Sequence, residues 1–125
     1  MNAVDLAQTA YGSVRAPIRT PRSVEYEALA RTTRALKQAA QKGKPGYAEL
    51  VPALHENRRL WILLGSTVTD TGNELPLELR AKLGYLADFC TTHTSRVLRK
   101  EADADILIEI NLAVMGGLQS SQTET

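Results

Sequence analysis

The chain has 125 residues, of which 43% are apolar and 23% charged, and its formal net charge is only +1. That length allows one domain with a real core, since a globule of this size buries roughly two-thirds of its unfolded surface, and the composition excludes a disordered chain. A single cysteine, Cys90, excludes an intramolecular disulfide framework and favours a reducing, cytoplasmic setting.

The N-terminal segment carries Asp5 and no apolar run long enough for a signal peptide. Val4, Ala7, Tyr11 and Val14 at helical spacing predict a short helix over residues 2–13, ended by Gly12 and the Pro17 to Pro21 segment. Thr20 as N-cap and Pro21 as first helical residue open a second helix, with Tyr26, Leu29, Thr33, Leu36 and Ala40 on one stripe. Lys42-Gly43-Lys44-Pro45-Gly46 stops it.

From Tyr47 to about Val68, two adjacent stripes form a wide apolar face. One holds Val51, Leu54, Trp61 and Val68, the other Ala53, Leu60 and Leu64. Pro52 lies one turn in, so this helix either starts near Val51 or kinks there. Asp70-Thr71-Gly72-Asn73 is turn chemistry. After Leu75-Pro76, the positions Leu79, Leu83, Leu86, Cys90, His93 and Val97 alternate by fours and threes, predicting a helix to about Arg99.

Asp103 is a good N-cap for the last helix, Asp105 to Met115, which is apolar on nearly every side. Gly116-Gly117 is expected to end it, leaving a polar, disordered tail over 119–125. No segment alternates with period two, and none reaches the roughly 20 apolar residues of a membrane span. Short connections favour antiparallel neighbours. The expected fold is all-α, an antiparallel bundle of four main helices plus a short N-terminal one, in a single domain over 1–118.

No constellation supports catalysis or metal binding. Cys90 and His93 share a helical face, but with only His55 besides they cannot close a zinc site, and no residue pattern supplies a Cys-His nucleophile with an orienting group. No glycine-rich phosphate loop precedes a helix, and Glu101, Asp103, Asp105 and Glu109 suit the positive end of a helix dipole. No cofactor is expected.

Two features point to macromolecular binding instead. Asn57 and Arg58 fall within the apolar stripes beside Trp61, where an unpaired polar group costs roughly 1 to 3 kcal/mol. They belong either to a buried network reaching Glu25 or a backbone carbonyl, or to the rim of a partner groove. The last helix carries more apolar surface than one contact face needs. It is therefore either wrapped by the other helices or covered by a partner or a second copy.

Charge is uneven as well. Residues 13–44 hold Arg15, Arg19, Arg22, Arg31, Arg34, Lys37, Lys42 and Lys44 against Glu25 and Glu27, a local balance of +6, with −5 in the rest. The segment reads as a solvated face or as an RNA surface contacting through Arg15, Arg19, Arg22, Arg31 and Arg34. Its lone aromatic, Tyr26, argues against nucleic acid, because single-stranded readers stack bases on aromatic rings.

Several motifs, in order and at these spacings, make a specific match to a known family. They are Ala10-Tyr11-Gly12, Thr20-Pro21-Arg22, Glu25-Tyr26-Glu27, Ala53-Leu54 with Asn57-Arg58-Arg59-Leu60-Trp61, Asn73-Glu74-Leu75-Pro76, Leu79-Arg80-Ala81, Ile108-Glu109-Ile110-Asn111 and Met115-Gly116-Gly117-Leu118. The chain resembles the FlaF flagellar biosynthesis regulators of alphaproteobacteria. The resemblance implies a cytoplasmic flagellin-binding secretion chaperone that promotes flagellin production and export, opposite the flagellin translation repressor FlbT. Direct binding of flagellin messenger RNA is the alternative. Tyr11, Arg58, Trp61, Ile110 and Met115 are the expected partner-binding residues.

Overall fold

The computed structural model describes residues 3–4, 19–69 and 77–123, with side chains over 3–4, 26–66, 77–78 and 80–116. Four long helices make up nearly all of it: α1 (Arg19–Gln41), α2 (Tyr47–Thr69), α3 (Leu77–Leu98) and α4 (Asp105–Thr123). There is no strand among the described residues. Ala3 and Val4 are helical, and Ala3 is buried in the core cluster. The remainder of the expected 2–13 helix and the 70–73 turn lie outside the described residues.

Apolar spacing sets the buried faces. On α1 the expected stripe turns Leu29, Thr33 and Leu36 inward; on α2 Leu54, Trp61 and Leu64; on α3 Leu83, Leu86, Cys90 and Val97. Helix α2 is continuous from Tyr47, so Pro52 sits inside it rather than at its start. As the sixth residue, Pro52 lies beyond the four leading N–H groups that lack helical partners, so it costs α2 one backbone bond without ending the helix. Pro21, the third residue of α1, falls among those leading positions and costs none, although α1 begins one residue before the expected Thr20 cap.

Helix α4 departs most from expectation, since it runs through Gly116-Gly117 to Thr123 and includes most of the expected 119–125 tail. A glycine ends a helix by adopting positive φ, and among the described residues only Gly43 does so. With ordinary φ, each glycine costs a helix only about 1 kcal/mol relative to alanine, too little to stop it.

The helices form an antiparallel bundle in which α1 packs on α2 and on α4, α2 packs on α3, and α3 meets α4 only slightly. Helices α2 and α4 are diagonal. Among the described residues the last helix is therefore not wrapped by the others, but lies against α1.

Two turns share one end of the bundle. At the first, a 3₁₀ turn (Lys44–Gly46) leads into α2, and Gly46 lies so close to the Ala39 carbonyl that no side chain fits. Lys42 Nζ bridges to the Glu49 carboxylate at 2.7 Å across the same turn. The second turn closes α3 with Lys100 at φ 64°. There Lys100 N donates to Val97 O and Glu101 N to Arg96 O, both at 2.9 Å. This is the paired C-terminal cap that usually takes glycine. Tyr47 secures the turn from α2, its hydroxyl donating to Leu98 O at 3.1 Å and its ring 4.7 Å from the Lys100 ammonium. Asp103 Oδ1 accepts from Asp105 N at 3.0 Å, the N-cap expected from sequence.

Helices α2 and α3 approach closely at Gly65, where a Cβ would lie 2.8 Å from the Ala87 Cβ. At Gly116 a Cβ meets nothing within 4 Å. One substitution should therefore act with opposite sign at the two sites. Gly65→Ala is expected to destabilise by roughly 1–3 kcal/mol through overpacking, and Gly116→Ala to stabilise by about 0.5–1 kcal/mol. Urea unfolding midpoints measure both.

Candidate functional site

At the centre of the bundle a polar chain crosses the apolar core from α2 to α4. Trp61 Nε1 donates to Asn111 Oδ1 at 3.0 Å, and Asn111 Nδ2 donates to Asn57 Oδ1 at 2.7 Å. All three residues are 0% exposed. Asn57 Nδ2 and, on α1, the buried Thr33 Oγ1 have no hydrogen-bond partner among the described residues. Thr94 on α3 is satisfied by the Cys90 carbonyl at 2.7 Å.

Of the two readings open for Asn57, the buried network is the one found, with Asn111 as a partner; the side chain of Glu25 lies outside the described residues. Arg58 is not part of it. Half-buried, it donates from Nη2 to His55 Nδ1 at 2.9 Å on the surface. The logic that singled out Asn57, a polar residue inside an apolar stripe, applies equally to Asn111, which interrupts the most apolar segment of the chain.

Trp61 and Ile110, expected at a groove, are core residues with 0% exposure. The indole is large and apolar enough to be drawn fully inside, while its one N–H finds an acceptor on α4. Met115 is half-buried on α4. Tyr11 and Arg15 lie outside the described residues, as do the side chains of Arg19 and Arg22. Of the expected partner residues whose side chains are described, Trp61 and Ile110 share the core cluster, Met115 packs against it and Arg58 pairs with His55 on the surface.

An apolar flank runs along α4. Ile108 and Met115 are half-buried and Leu112 is 45% exposed, at i, i+4 and i+7 along one side of the helix. At its N-terminal end this flank opens into a groove of about 330 Å³ against α1, lined by Lys37, Ala40, Gln41, Asp105, Ile108 and Glu109. Arg31, Arg34 and Lys37 are exposed on α1, and none is in an ion pair with a described residue. Sequence reading noticed the surplus apolar surface but could not say which residues would carry it.

Other concavities lie away from this flank. Between α2 and α3 a shallow depression of about 320 Å³ has Ile62, 55% exposed, on its wall and Gly84 and Ala87 in its floor. The two turns enclose a cleft of about 770 Å³ that includes the Tyr47 and Lys100 pair. Cys90 is fully buried, and burial pushes its thiol well above the ordinary range, so the reactive thiolate is suppressed. His93 stacks on Phe89 with ring centroids 5.7 Å apart and donates from Nε2 to the Asp103 carbonyl at 2.9 Å. It thereby ties α3 to the cap of α4 and does not face the thiol chemistry that its spacing to Cys90 brought to mind. Among the described residues no helix is long and apolar enough to cross a membrane.

Because Trp61 is core, Trp61→Ala is expected to cost roughly 3–5 kcal/mol of stability. Asn111→Ala is expected to cost on the order of 2–4 kcal/mol, since it strands the Trp61 donor and the Asn57 acceptor together. Thermal melts of both variants check this. A loss for Asn111→Ala within a few tenths of a kcal/mol would mean the network adds nothing.

Comparison with known proteins agrees with the motifs. No curated protein and no solved structure gives a significant match. The family model for flagellar protein FlaF matches residues 7–118, which takes in the first three helices, most of the fourth and the whole polar network. The chain belongs to the FlaF family of flagellar proteins.

Proposed function

We propose that this flagellar protein is a non-catalytic, cytoplasmic export chaperone that binds flagellin and thereby promotes flagellin production. The observation that supports the reading is the apolar flank Ile108, Leu112 and Met115 beside α1, a surface of the spacing that an amphipathic helix presents and accepts. Flagellin ends are apolar helical segments that pack only in the filament, so a subunit awaiting export needs them covered. A client that orders on binding gives up part of the interaction energy, which leaves an affinity suited to release. Regulation of translation then follows from protein contacts, with flagellin itself or with FlbT.

The exposed cations Arg31, Arg34 and Lys37 favour one second reading, direct binding of flagellin messenger RNA through α1. Tyr26, half-buried, is the only aromatic on that helix, which leaves little surface for stacking bases.

Leu112→Glu separates the two. The residue is half-exposed, so the variant should melt within about 1 kcal/mol of the parent. Flagellin recovered with it from cells is expected to fall at least about tenfold, the order of effect for truncating a buried anchor. Ribonuclease treatment should leave the parent complex intact. Loss of flagellin on ribonuclease treatment, with messenger RNA recovered beforehand, would favour the RNA reading.

A further inference from the structure

The groove between α1 and α4 has rims of opposite charge. On the α1 side stand Lys37 and, one turn farther, Arg34, both exposed and unpaired among the described residues. On the α4 side stand Asp105 and Glu109, also exposed. Lys37, Asp105 and Glu109 line the same groove, yet no ion pair spans it. Beyond the groove, Leu112 and Met115 follow Ile108 on the same side of α4.

We propose that this groove receives an amphipathic helix bearing acidic side chains along the edge that faces α1 and basic side chains along the edge that faces α4. The inference rests on the reading of this flank as the client surface and adds the chemistry of the client. Apolar contact with Ile108, Leu112 and Met115 supplies affinity, and the rims supply selectivity, because complementary charges at a rim favour the right partner and like charges oppose the wrong one. Turning such a helix end for end exchanges its edges. The same charge pattern therefore selects one direction for the bound helix.

Three synthetic helical peptides with one apolar stripe test the proposal against the full chain by fluorescence anisotropy. One carries Glu on one edge and Lys on the other, one Glu on both edges and one Lys on both. The mixed peptide is expected to bind about three- to tenfold tighter than either of the others, with the difference shrinking in high salt. Lys37→Glu, at an exposed position that leaves the core untouched, is expected to erase the preference for the mixed peptide over the all-Lys one. Equal affinities, or no binding of any peptide, would overturn the charge assignment. Flagellin capture by the parent and its loss in Leu112→Glu read the chaperone assignment separately. Peptide discrimination with flagellin capture unaffected by Leu112→Glu would keep the groove chemistry and remove flagellin as its occupant.

Discussion

A buried indole N–H and two buried amides need partners inside a mainly apolar core, and the arrangement of the helices answers to that constraint by joining them to one another. Helices α2 and α4 are diagonal in the bundle, too far apart for close backbone packing. Trp61, Asn111 and Asn57 bridge the diagonal with two hydrogen bonds. Hydrogen bonds are directional where apolar contact is not, so the pairing fixes how α4 is rotated and how far it is shifted along its axis. A leucine-only core of the same volume would allow several such positions. With α4 set by Asn111, its remaining apolar residues divide into those that face the core, such as Leu107, Ile110 and Val114, and those left on the flank, Ile108, Leu112 and Met115.

The opposite demand governs the end of the bundle, where two turns must hold four helix termini in place. Tyr47 does this with both parts of its side chain, the hydroxyl on the last carbonyl of α3 and the ring beneath Lys100. Lys100 adopts positive φ without being glycine, at a cost of order 1 kcal/mol. The cation–π contact and the two cap hydrogen bonds offset that strain. His93 adds a bond to the Asp103 carbonyl, so the cap of α4 is tied to α3 although the two helices scarcely pack farther along. The rigid end and the polar centre together hold the α1 and α4 surfaces in register, and the rims of the groove are built on that register.

Residue by residue, much of this was legible in advance. Heptad-like spacing placed Leu83, Leu86, Cys90 and Val97 on one face of α3, and each is buried there. Asp103 was readable as a cap because an aspartate before an apolar run has a local job. The end of α4 was misread because glycine was taken as a stop, whereas a helix is ended by a backbone conformation that glycine permits and does not compel. The burial of Trp61 was not legible for a different reason. Enrichment of tryptophan and arginine at interfaces is a tendency of residue types, and it carries no information about which side of a given helix meets a neighbour.

By itself the sequence determined what local physics decides: four helices, their buried faces, the Asp103 cap, the break at Gly43, the absence of strand patterning, and, through motifs spread over nearly the whole chain, membership of a flagellar family. The tertiary structure alone decided which polar residues find each other and which apolar ones stay outside. Asn57 and Asn111 are 54 residues apart, and a helical wheel for either segment shows only that each must find a partner. The same is true of the groove, whose lysine and carboxylates come from helices distant in sequence and share a rim only because α4 packs beside α1. Periodicity acts along one helix. Sites and networks depend on how helices are placed against one another, and that placement is settled by the sum of many weak contacts over the whole chain.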